Sequence, residues 1–76
     1  MIDRPTTHAL AVFLAVVEHG TMTAASEASG LSQPAISNQI KTLERHYGTA
    51  LLDRGGRGVT PTAAGAYVAD YARRIL

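Results

Sequence analysis

Gln33, Ser37, Asn38 and Lys41 are the residues of this chain whose types and spacing could do chemistry. All four carry hydrogen-bond donors, and at helical spacing they share one part of a helix circumference. Such a face can read base edges in a major groove and touch the phosphates beside it. A glutamine can pair bidentately with adenine, and Pro34 and Ala35 can pack on a thymine methyl. Gln33, Pro34, Ser37 and Asn38 are therefore the candidate base contacts, and Lys41 a candidate phosphate contact. Thr23 and Ser32 stand where helices should begin, and helix N-termini favour anions, so both are further backbone candidates.

The helix carrying these residues is predicted over 32–47. Ile36, Ile40, Leu43 and Tyr47 recur at i, i+4, i+7 and i+11 and form its inward face. Ser32 caps it, with Gln33 and Pro34 in its first turn, where proline removes no intrahelical bond. Gly48 ends it. Before it, Thr23 caps a short helix from Ala24 to Ser29, and Gly30 supplies a left-handed turn. Ala25 and Ala28 are small enough to let the two helices approach. A first helix, capped by Thr6 or Thr7, runs to about His19 and buries Leu10, Phe13, Leu14 and Val17; Gly20 ends it. Two short helices joined by a glycine turn, the second with a polar outer face, make a helix-turn-helix.

Ala50–Asp53 and Gly58–Thr60 are strand candidates joined by Arg54-Gly55-Gly56-Arg57. A hairpin beside a helix-turn-helix is a wing, here over 51–60, able to lay Arg54 and especially Arg57 on phosphates or in a minor groove. Thr62 caps a last helix, since Pro61 holds Thr60 extended. Ala64, Tyr67, Val68, Tyr71 and Ile75 form its stripe, widened by Ala63, Ala66, Ala69 and Ala72. That is more apolar surface than a small core needs, and it points to a partner.

Bulk properties narrow the classes. Seventy-six residues make one small domain. Without cysteine there is neither a disulfide nor a thiolate metal site. No run of about eighteen apolar residues could span a membrane, and Met1 to Pro5 lack signal-peptide blocks. The net charge is +1, but it is unevenly placed: Lys41, Arg45, Arg54 and Arg57 outnumber Glu44 and Asp53 in the segment 32–58. An electrostatic footprint for nucleic acid has that form. Arg45 is expected to pair with Glu44 or Glu18, or with nothing. His8, His19 and His46 lack metal-ligand spacing, and no nucleophile elbow, P-loop or dinucleotide fingerprint exists. An enzyme is not expected, nor a cofactor or metal in this segment.

Thr23-Ala24-Ala25-Ser26-Glu27-Ala28, then Leu31-Ser32-Gln33-Pro34-Ala35-Ile36-Ser37-Asn38-Gln39-Ile40, resemble the N-terminal domain of LysR-type transcriptional regulators. The likeness continues through Leu43-Glu44, Gly48, Leu51-Leu52, Arg54, Gly56-Arg57-Gly58, Thr62 and Ala64-Gly65, and covers about residues 8–76 without a gap. It implies a mainly α winged helix-turn-helix: a three-helix core with a two-stranded wing over 1–60, then a long linker helix over 61–76. It also implies antiparallel pairing of that helix with a second chain through Ala64, Val68, Tyr71 and Ile75. Val68 and Tyr71 should sit near that interface and Tyr67 partly in the monomer core. Further implications are a tetramer as one option for a full-length protein, a C-terminal domain binding a small-molecule effector that this segment lacks, and a bacterial, cytoplasmic regulator of transcription bound to double-stranded DNA. Two departures stand out. Many members carry arginine at the position of Asn38, which bears on base preference. Many carry basic residues at Ala24 and Thr42, where this chain lacks those phosphate contacts. The alternative is a winged-helix protein-interaction or dimerisation module, against which the polar face of 33–41 argues.

Overall fold

The computed structural model describes residues 6–76; Met1 to Pro5, on which the signal-peptide reading rests, lie outside the described residues. Thr6 accepts a hydrogen bond from the Ala9 N–H and starts α1 (Thr7–His19). α2 (Met22–Ser29) and α3 (Gln33–Tyr47) follow, then β1 (Leu52–Asp53), β2 (Thr60–Pro61) and α4 (Ala63–Ile75). Gly20, Gly30 and Gly48 close the first three helices with φ of 80°, 77° and 71°, a conformation that costs other residues a Cβ clash.

α1 is the hub, packed against α2, α3 and α4. Phe13, Leu10, Val16, Ile36, Ile40, Leu43 and Leu51 are the largest fully buried side chains. The buried face of α1 also includes Ala9 and Val12, whereas Leu14 and Val17, expected in its buried stripe, are only partly buried against it. The face is wider than a single stripe because three helices surround α1. Tyr47, expected inside, is 37% exposed at the last turn of α3. Ala25 is fully buried against the core, but Ala28 is exposed.

The helix-turn-helix differs from expectation at one cap. Thr21, not Thr23, accepts from the Ala24 N–H at 3.0 Å, and α2 begins at Met22. Val59 explains this: its N–H donates to the Gly20 carbonyl at 2.8 Å and holds that turn extended immediately before Met22. Ser32 caps α3 as expected, accepting from the Ala35 N–H.

The wing is a two-stranded antiparallel ladder with Leu52 opposite Pro61 and Asp53 opposite Thr60. Both strands begin two residues later than the predicted Ala50 and Gly58, because the backbone at Ala50 and Leu51 is engaged elsewhere and the Val59 N–H is bonded to Gly20. The Leu51 N–H donates to the Glu44 carboxylate at 2.8 Å, and the Leu51 carbonyl accepts from the Thr62 N–H at 3.0 Å. The Thr62 hydroxyl donates to the Ala50 carbonyl at 2.7 Å and also caps α4 by accepting from the Gly65 N–H at 3.0 Å. The end of α3, the root of the wing and the start of α4 thus form one hydrogen-bonded junction. The expected domain boundary at 60/61 falls inside β2, and α4 shares its core with α1.

The last helix buries its small side. Gly65, Val68, Ala69 and Ala72 face the core, which leaves Tyr67, Tyr71 and Ile75, at i, i+4 and i+8, 76%, 42% and 48% exposed. Tyr67 is therefore not in the monomer core, and Val68 packs into it. Small residues win the inner side because Gly65 approaches the Leu51 backbone so closely that no Cβ would fit. Among the described residues no helix is long and apolar enough to cross a membrane.

Candidate nucleic-acid interface

At 3.6 residues per turn, Gln33, Pro34, Ser37, Asn38 and Lys41 span about 140° of the α3 circumference. The buried Ile36, Ile40 and Leu43 lie on the other side. Gln33, Pro34, Asn38 and Lys41 are exposed and Ser37 is half-buried. The side chains of Ser37, Asn38 and Lys41 have no hydrogen-bond or ion-pair partner among the described residues, so their donors are free for a ligand. Gln33 differs: its Nε2 donates to the Thr23 hydroxyl at 3.3 Å, across the turn to α2. Thr23, released from capping by Thr21, stands beside the exposed start of α3.

Arg54 and Arg57 are exposed on the wing. The Asp53 carboxylate accepts from the Gly55 N–H at 3.0 Å and shapes the tip. Gly58 sits so close to the Gly20 carbonyl that a side chain there would collide with backbone. With the bond from Val59 to Gly20, this contact fixes the wing against the α1–α2 turn, on a rigid base.

Charge supports the same side of the molecule. Glu18 of α1 pairs with Arg73 of α4 at 3.6 Å, and Asp70 with Arg74 within α4 at 3.8 Å. Among the described residues, Lys41, Arg45, Arg54 and Arg57 are in no ion pair. Arg45 does not meet Glu18 or Glu44; both carboxylates are engaged elsewhere, and Arg45 instead donates to the Thr42 hydroxyl at 3.4 Å. No cluster of three or more metal-type ligands exists among the described residues.

Residues 7–66 match the family model described as bacterial regulatory helix-turn-helix protein, lysR family. The chain belongs to the LysR family. The SDS degradation transcriptional activation protein of Pseudomonas sp. is 52% identical over 64 residues, 84% of this chain and 21% of that protein. Two solved relatives are DNA complexes. The BenM DNA-binding domain with catB site 1 DNA has a TM-score of 0.88 at 37% identity, over 92% of this chain and 78% of that one. The CbnR DNA-binding domain with DNA has a TM-score of 0.86 at 43% identity, over 92% of this chain and 80% of that one. The chain spans about a fifth of the length of the curated relatives it matches. The mainly helical fold with a two-stranded wing is that of LysR winged-helix DNA-binding domains.

Two functional features of this LysR-family domain escape inspection of its sequence. Glu44 holds the root of the wing through the Leu51 N–H, a contact over seven residues that no helical periodicity reveals. Thr23 looks like a cap because its hydroxyl could satisfy a free N–H at the start of a helix from Ala24; only the position of Thr21 directly after Gly20 hints otherwise. A second patch, an apolar groove of about 280 Å³ lined by Tyr47, Tyr67, Val68 and Tyr71, separates the end of α3 from α4. Burial, and to a lesser extent Tyr71, raises the Tyr47 hydroxyl above the usual tyrosine pKa.

Proposed function

We propose that this domain binds double-stranded DNA sequence-specifically, as a dimer, for a bacterial regulator of transcription. The carrying observation is the outward face of α3, where the donors of Ser37, Asn38 and Lys41 are unpaired among the described residues while the buried Ile36, Ile40 and Leu43 are turned away. α3 enters a major groove, with Gln33, Pro34, Ser37 and Asn38 at base edges and Lys41, Ser32 and Thr23 at phosphates. The wing lays Arg57, and less directly Arg54, on the backbone or minor groove. The similarity to the BenM and CbnR DNA-binding domains, both solved with DNA, supports DNA as the partner. A protein-docking reading fits the face poorly, because interface cores favour aromatic and aliphatic groups. We extend the proposal to the longer protein: a C-terminal domain would bind a small-molecule effector, and the regulator would act in the cytoplasm on the nucleoid, without catalysis.

Selection of bound duplexes from a random pool tests this reading. The wild-type chain is expected to enrich an interrupted inverted repeat. Gln33→Ala should make one position of each half-site degenerate, at a cost of about 1–3 kcal/mol for the lost base contact, whereas Lys41→Ala should weaken all duplexes alike. No enrichment over the input pool would refute sequence-specific binding. For the wing, Arg57→Ala should reduce the slope of log K against log salt by about 0.9, the share of one phosphate. An unchanged slope and affinity would leave Arg57 a solvated hairpin charge.

A further inference from the structure

Thr23 is the second residue of α2, ten positions before Gln33, and the fold brings its hydroxyl to 3.3 Å from the Gln33 amide nitrogen. The capping duty lies with Thr21, and the Thr23 hydroxyl has no other side-chain or backbone partner among the described residues. Both residues are exposed, so burial does not dictate the contact.

We propose that Thr23 is a positioning residue that makes Gln33 select adenine over guanine; this rests on the reading of Gln33 as a base contact. A side-chain amide has two N–H donors and one carbonyl acceptor. With one N–H held by Thr23, Gln33 presents one donor and one acceptor. Adenine offers the matching pair in the major groove, N7 as acceptor and the N6 amino group as donor. Guanine offers two acceptors, N7 and O6. A free amide can turn its nitrogen so that both N–H groups serve guanine. The held amide cannot, and its Oε1 would face O6 with lone pair against lone pair. The Thr23 hydroxyl keeps its own hydrogen for a phosphate oxygen, and donating it would strengthen the oxygen as an acceptor for Gln33. Backbone contact and base choice are thereby joined in one hydroxyl.

Competition binding tests the assignment, with the selected consensus duplex and a second duplex carrying G·C for A·T at the Gln33-dependent pair. Thr23→Val keeps the branched shape and removes the hydroxyl; Thr23→Ser keeps the hydroxyl. Thr23→Val is expected to reduce the adenine-over-guanine preference about three- to tenfold, the worth of one hydrogen bond. Thr23→Ser should restore it, and Thr23→Val should change nothing further in a Gln33→Ala background. Thermal melting of each variant checks that the fold is intact. If Gln33→Ala relaxes the motif but Thr23→Val leaves the preference unchanged, the positioning role is overturned and the Gln33 reading survives. If Thr23→Val weakens both duplexes equally, Thr23 is a phosphate contact alone and the proposal is again overturned. An unchanged motif with Gln33→Ala removes the base reading itself.

Discussion

Gly65→Ala is expected to destabilise the domain by about 2 kcal/mol, within the usual range for overpacking. Helix propensity predicts the opposite, since alanine is favoured over glycine by about 1 kcal/mol in a helix. Packing wins here because a methyl group at Gly65 would overlap the Leu51 carbonyl, a backbone atom that cannot rotate away. Leu51 is also tied at both ends, its N–H to Glu44 and its carbonyl to the Thr62 N–H. Relief would require moving the root of the wing or the first turn of α4, and either breaks the junction that fixes the wing beside α3. A domain of this size loses about 4–8 °C of melting temperature per kcal/mol, so the shift is easily seen by circular dichroism. An unchanged or raised melting temperature would mean that α4 slides along the core at little cost.

The helices were legible because their signals are local. Thr6, Ser32 and Thr62 cap them, Gly20, Gly30 and Gly48 end them, and the apolar spacing of Ile36, Ile40 and Leu43 names the inner side of α3. What was not legible depends on residues far apart in the chain. Val59 reaches Gly20, and that bond moves the α2 cap from Thr23 to Thr21. Glu44 and Thr62 occupy the backbone at Ala50 and Leu51, so the first strand begins only at Leu52, and the bond from Val59 to Gly20 leaves the second to begin at Thr60. In α4 two apolar stripes lie side by side, one of small residues and one of tyrosines. Periodicity shows both but does not say which one the core accepts. The answer came from the approach of Gly65 to Leu51, which admits no Cβ. The candidate base contacts were visible as a polar band on α3; the link that orients one of them, from Thr23 to Gln33, spans two helices and was not.

That outer stripe sets up the second large effect. Tyr67, Tyr71 and Ile75 are 76%, 42% and 48% exposed along one side of α4, and the groove with Tyr47 lies beside them. Covering apolar surface is worth about 25 cal/mol per Å², offset by the entropy of association, so two such helices can pair with a modest surplus. Antiparallel pairing would create a two-fold axis and the same patch on both chains. Two α3 helices related by that axis would meet one side of a duplex in major grooves about 34 Å apart, or a multiple of that spacing. Binding the second half-site then becomes intramolecular, which raises affinity by about 10²–10⁴ without any new base contact. The double variant Tyr67→Glu, Ile75→Glu places charges on exposed positions, so folding and half-site affinity should be preserved. Analytical ultracentrifugation should show a monomer, and affinity for the complete inverted repeat should fall by about 10²–10⁴ toward that of one half-site. If instead the wild-type chain is a strict monomer at micromolar concentration and still occupies a single half-site on DNA, the tyrosine stripe does not pair and α4 of this chain needs another explanation.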